Sequence, residues 1–167
     1  AVAVETSTIG PAAVEWLATR LGAGGCGLVD APVSGGVALA ASGGLTIMAG
    51  GTAADVERVR PVLDAIGSTL FHLGPVGSGA TMKLAVNSII HGLNAAVSEA
   101  LVLAESAGVE RSAAYEVFAS SATAAPFVLY KRAAFEHPEQ ADVAFSLDLV
   151  GKDLDLILAL AERTGAP

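Results

Sequence analysis

The sequence predicts an α/β sheet layer followed by an all-α region, the two joined through one long helix. Three observations carry this. Short apolar runs of strand length alternate with helical spacings as far as Gly74. From Gly77 to near Gly108 about thirty residues run without proline, longer than the usual 10–14-residue helix. Beyond that point only helical spacing recurs, so the domains are placed at 1–74 and 75–167.

The elements follow in order. Ala1 to Glu5 reads as a strand, and Pro11 suits the first turn of a helix, with Gly10 before it and Val14, Leu17 and Leu21 spaced behind. After the link Gly22 to Gly27, Leu28 to Val33 reads as one buried strand closed by Ser34-Gly35-Gly36, and a helix-sized gap follows. Leu45 to Ala49 reads as a third strand, Ala53 to Ile66 as an amphipathic helix and Thr69 to Leu73 as a fourth strand. Glu110 to Ser121 and Leu147 to Thr164 have helical spacing, and Ala124-Ala125-Pro126 and His137-Pro138 mark breaks.

Composition narrows the function. The 167 residues carry a formal charge of −8 with no cluster of Lys or Arg, which speaks against nucleic acid or an anionic membrane as partner. Cys26 is the single cysteine, so neither a disulfide framework nor a thiolate zinc site is expected, and a reducing cytoplasm fits. His72, His91 and His137 are too scattered to suggest a metal. The apolar stretch from Ala80 to Leu103 is interrupted by Lys83, Asn87, His91, Asn94 and Glu99, and so reads as a buried helix of a soluble protein rather than a membrane span. The N-terminus has no initiating Met or signal pattern and opens directly into an apolar run, as the middle of a domain would.

Several motifs bear on chemistry. Gly74-Pro75-Val76-Gly77-Ser78-Gly79 leads into Lys83, and Asn87 lies four residues on, on the same helix face; His91, Asn94 and Ser98 continue that polar line. Lys83 has two readings. It snorkels from the helix start, or it is a desolvated lysine that exchanges a proton near neutral pH. Ser34-Gly35-Gly36 is either an ordinary tight turn or an anion-holding turn of N–H groups and a hydroxyl. Thr6-Ser7-Thr8, at the end of the first strand, either caps a helix or touches a ligand there. Lys152-Asp153 reads, by spacing alone, as a solvated charged face. Gly22-Ala23-Gly24-Gly25-Cys26-Gly27 matches G-x-G-x-x-G in letters, but it follows a helix and precedes a strand, the reverse of a dinucleotide loop.

Taken together these segments resemble the β-hydroxyacid dehydrogenase family, nearly end to end. The resemblance implies a partial Rossmann-like sheet, NAD or NADP as cofactor, a small carboxylate substrate and a homodimer or higher oligomer built through the helical domain. It implies that Lys83 is the proton donor or acceptor and that Asn87 hydrogen-bonds lysine and substrate. Ser34, Gly35 and Gly36 would hold the substrate carboxylate; Thr8, Phe145, Lys152 and Asp153 would lie at the cofactor, which reverses the solvated reading of Lys152. Val86 stands where sugar-phosphate relatives carry a histidine, and imine-reducing relatives commonly replace the lysine. Nothing here corresponds to the strand, glycine loop and helix with which family members begin. A fragment is therefore expected, inactive alone and weak in dinucleotide binding, its other reading being a helical assembly module.

Overall fold

The computed structural model describes residues 1–143 and 145–166, which form two compact units. Of these, the first unit comprises residues 1–87 together with 151–166, and the second residues 88–143 and 145–150. From Gly151 onward the last helix groups with the sheet unit.

The sheet unit holds strands β1 (Val2–Glu5), β2 (Gly27–Asp30), β3 (Val33–Ser34), β4 (Leu45–Gly50) and β5 (Gly67–Gly74), with helices α1 (Pro11–Ala23), α2 (Val37–Ala41) and α3 (Ala53–Leu63) between them. β1 and β2 pair in parallel, as do β4 and β5, whereas β4 runs antiparallel to both β2 and β3. α1 starts at Pro11, where the missing N–H costs nothing, and ends at Gly24, with Gly25 at φ +71° turning the chain into β2. This helix-to-strand turn accounts for the glycines that match the dinucleotide pattern in letters only. Val29, Ala31, Ile47, Ala49, Val56, Val59 and Leu63 form the core between sheet and α3. A second cluster of Val14, Leu28 and Ala80 seats α1 and the start of the long helix on the sheet.

Two expected elements are corrected. Leu28 to Val33 is not one strand, because Pro32 has no N–H for a ladder and the chain breaks at Ala31-Pro32 into β2 and β3. The helix expected to reach Ile66 ends at Leu63, its cap residue Asp64 donating its N–H to the Arg60 carbonyl. Its start is well specified: the Thr52 hydroxyl accepts the Asp55 N–H at 3.1 Å.

The long helix α4 (Ser78–Ser106) has 29 residues and matches the expected span closely. The expectation that it is buried is not met. Ile89, Val102 and Leu103 are exposed, and by length and composition alone α4 is sufficient to cross a membrane, with a mean hydropathy of 1.3 over its best window. Apolar residues outweigh the polar interruptions in that window.

In the second unit, α5 (Arg111–Ser120), α6 (Pro126–Tyr130) and α7 (Arg132–Glu136) pack on the later part of α4 through Val97, Leu101, Ala114, Tyr115, Phe127 and Val128. Tyr115 is fully buried and donates its hydroxyl to the Val128 carbonyl at 2.7 Å. A short 3₁₀ turn at Pro138–Gln140 precedes α8 (Leu147–Thr164), whose bounds agree with the sequence reading.

Ile47 sits at the centre of the sheet core with 1% exposure. Ile47→Ala is expected to lower unfolding free energy by about 2–5 kcal/mol in urea titrations, the range for large-to-small core changes; a loss under about 1 kcal/mol would contradict this packing.

Candidate functional site

The site is assembled in the sheet unit where the first turns of α4 pass the ends of the strands. Asp30, the last residue of β2, is buried, and its carboxylate accepts the backbone N–H of Gly77 and of Ala80, each at 2.8 Å. Those are N–H groups that a helix start leaves without intrahelical partners. Lys83 follows one turn later, half-buried, with Leu84 fully buried beside it.

Burial pushes the Lys83 ammonium below the ordinary lysine value; the nearby Asp153 carboxylate opposes that shift and the Lys152 ammonium adds to it. Lys83 thus keeps part of its side chain exposed while burial disfavours its charged form. Asn87, 9% exposed, donates its Nδ2 to Asp153 Oδ2 at 2.7 Å. Asp153 is 1% exposed, and its Oδ1 lies 2.9 Å from Lys152 Nζ. Lys152 Nζ also donates to the Thr8 carbonyl at 2.7 Å, tying α8 to the loop beyond β1. Thr8, Lys83, Asn87, Lys152 and Asp153 therefore form one connected neighbourhood.

The solvated reading of Lys152-Asp153 holds only for the lysine, since the aspartate lies inside. The polar line on α4 is buried only at Asn87: Asn94 and Ser98 are exposed, and Ser98 donates its hydroxyl to the Asn94 carbonyl, four residues back. Thr8 does not cap α1, whose N-cap is Gly10 without a side-chain bond. Ser34 pairs with Thr46 at the end of β3, and Gly35, at φ +137°, turns the chain toward α2. Phe145 belongs to the second unit, where it stacks on His91 with ring centroids 6.1 Å apart.

Asp30 falls inside the run Leu28 to Val33, which reads in the sequence only as a buried strand, with no task for the carboxylate. The available signal was an acidic residue at a strand end, two positions before a Pro-x-Ser-Gly-Gly segment. Among the described residues, no group of three or more His, Cys, Asp or Glu side chains is placed to hold a metal ion.

A sheet with helices between its strands, a long helix bearing a half-buried lysine on its first turns and a helical region after it give the fold layout of a dinucleotide-dependent dehydrogenase. Comparison with known proteins bears this out. Residues 1–74 match the family model described as the NAD-binding domain of 6-phosphogluconate dehydrogenase, and residues 77–167 match the NAD-binding region of NADP-dependent 3-hydroxyisobutyrate dehydrogenase. The chain belongs to the β-hydroxyacid dehydrogenase family.

The 2-(hydroxymethyl)glutarate dehydrogenase of Eubacterium barkeri is 34% identical over 99% of this chain and 55% of its own length. The 3-hydroxyisobutyrate dehydrogenase of Pseudomonas aeruginosa is 38% identical over 71% of this chain and 40% of its own length. The crystal structure of a 3-hydroxyisobutyrate dehydrogenase from Salmonella typhimurium superposes with a TM-score of 0.89 at 31% identity, covering 99% of this chain and 58% of that one. Imine reductases at 17–22% identity share the fold. The chain spans just over half the length of the curated relatives it matches end to end.

Removing the Asn87 amide takes one hydrogen-bond donor from the buried Asp153 carboxylate. Asn87→Ala should cost about 1–3 kcal/mol in denaturant unfolding; a change below about 0.5 kcal/mol would show that this contact does not hold Asp153.

Proposed function

We propose that the protein to which this chain belongs transfers a hydride between a nicotinamide dinucleotide and a small β-hydroxy acid of the 3-hydroxyisobutyrate kind, or its semialdehyde. The observation that carries the reading is a desolvated lysine beside Asn87 and a buried carboxylate, at the strand-end position where open α/β sheets bind ligands. The named relatives, which include a 3-hydroxyisobutyrate dehydrogenase and a 3-sulfolactaldehyde reductase of Escherichia coli, act on compounds of this size. A solved relative from Mycobacterium tuberculosis is described with L-serine, itself a small hydroxy acid carboxylate.

The residues present fit the nicotinamide end of a dinucleotide: Thr8 stands beyond β1, and Lys152 is fixed to its carbonyl. Among the described residues no strand, glycine loop and helix in that order supplies a pyrophosphate cradle, and these residues alone are assigned weak cofactor binding and no turnover. When bound, the nicotinamide gives or takes the hydride. Lys83 handles the proton. In reduction its ammonium donates to the carbonyl oxygen as that becomes a hydroxyl; in oxidation its neutral amine accepts the hydroxyl proton.

Burial favours the neutral amine and Asp153 favours the ammonium, so both forms are accessible closer to neutrality than in free lysine. Asn87, held by Asp153, orients the lysine and the reacting oxygen. Ser34, Gly35 and Gly36 hold the substrate carboxylate, while Phe145 walls the nicotinamide and Asp153 with Lys152 braces it. Val86, where sugar-phosphate relatives carry a histidine, keeps the substrate small and unphosphorylated in this reading. Exposed Ile89, Val102 and Leu103 on α4 are assigned to assembly with further copies.

In the complete enzyme, Lys83→Ala should lower kcat by about 10²–10⁴-fold while changing dinucleotide affinity little. For the unaltered enzyme the oxidation rate should rise with pH to a plateau and the reduction rate should fall through the same pKa, below that of free lysine. Substantial turnover by the Lys83→Ala enzyme would overturn the assignment.

A further inference from the structure

Three features remain without a task after the assignments above: the buried Asp30 carboxylate, Gly50 of β4 and Gly79 in the first turn of α4. They meet at one junction. Asp30 pairs with Gly50 across the β2–β4 ladder, and its two oxygens take the Gly77 and Ala80 N–H groups, one each, at 2.8 Å. The backbones are packed so closely that a side chain fits at neither glycine. A Cβ on Gly50 would stand 2.5 Å from Asp30 Oδ1 and 2.7 Å from the Pro75 carbonyl; one on Gly79 would collide with the Met48 carbonyl and stand 2.7 Å from the Asp30 carbonyl. The two glycines let α4 approach the strands, and the carboxylate fixes how it arrives.

Asp30 stands between the two sequence segments that the proposed reaction requires in register. Ser34 lies four residues beyond it, through the Ala31-Pro32 break; Lys83 lies three residues beyond Ala80, whose N–H it holds. We infer that Asp30 is a positioning residue: its bidentate grip on the first turn of α4 sets where Lys83 Nζ stands relative to the Ser34-Gly35-Gly36 turn, and so aligns proton transfer with the held substrate. This rests on the assignment of Lys83 above. Asp30 acts through geometry, since the charges that shift Lys83 are Asp153 and Lys152.

The test is Asp30→Asn in the complete enzyme, saturated with dinucleotide. Asn is isosteric but presents an N–H₂ where one oxygen accepted, so one of the two amide bonds is lost and a donor faces a donor. With active sites counted by cofactor titration, kcat per site is expected to fall about tenfold or more, since ångström-scale misplacement of a reacting group costs up to about 10²-fold. KM for the dinucleotide should stay within about twofold, and the pH at which Lys83 titrates in the rate profile should not move. Asp30→Ala, which removes both acceptors, should lose more than Asp30→Asn. A merely structural role would instead reduce the number of titratable sites and leave kcat per site unchanged; that outcome overturns the proposal, as does a variant that does not fold. A shift of the pH profile also overturns it, because Asp30 would then act through charge. If Lys83→Ala retains turnover, the reaction assignment fails first; if Lys83→Ala is inactive and Asp30→Asn keeps full kcat, only the positioning role fails.

Discussion

Asp153 is a carboxylate taken almost wholly out of water, and the site depends on what compensates it. A buried charge without partners costs several kcal/mol or changes its protonation state. Here the Asn87 amide serves one oxygen and the Lys152 ammonium the other, while Lys83 lies within electrostatic reach. These contacts join the start of α4, the start of α8 and, through Lys152 and the Thr8 carbonyl, the loop after β1. The carboxylate therefore links three segments distant in sequence, and it does so beside the lysine to which the proposed function assigns the proton.

A second buried carboxylate, Asp30, performs the matching task on the strand side. Its acceptors meet backbone N–H groups rather than side chains, so it fixes the helix axis and not a particular rotamer. With Gly50 and Gly79 admitting close approach, the first turn of α4 is held from the sheet while its third turn is held from α8 through Asn87 and Asp153. Lys83 and Asn87 sit on that doubly anchored stretch, which gives their side chains defined positions without help from the exposed part of the helix.

Much of this was legible in the sequence. Alternating apolar runs and the proline-free stretch placed β1, β4, β5, the long helix and α8 to within about two residues, because local periodicity determines which face packs. The four-residue spacing of Lys83 and Asn87 put them on one face, as found. Tertiary effects were not legible. The break at Ala31-Pro32 and the early end of α3 depend on which backbone groups find partners. The exposure of Asn94 and Ser98 depends on which face of α4 is covered. Lys152-Asp153 read by spacing as a solvated pair, and only the fold shows that its aspartate lies inside and its lysine does not. Asp30 lay within the predicted strand, but nothing in a linear sequence indicates that a strand-end carboxylate will meet an N–H group fifty residues on, at Ala80.

Direct titration of Lys83 tests the account's central claim, that burial prepares this lysine for proton exchange and Asp153 restrains the shift. With ¹³C-labelled lysine in the complete protein, its side-chain resonance should titrate below the ordinary value of 10.5, and lower again in Asp153→Asn, because the carboxylate that favours the ammonium is gone. A Lys83 that titrates at or above 10.5, or that moves upward when Asp153 is neutralised, would contradict it.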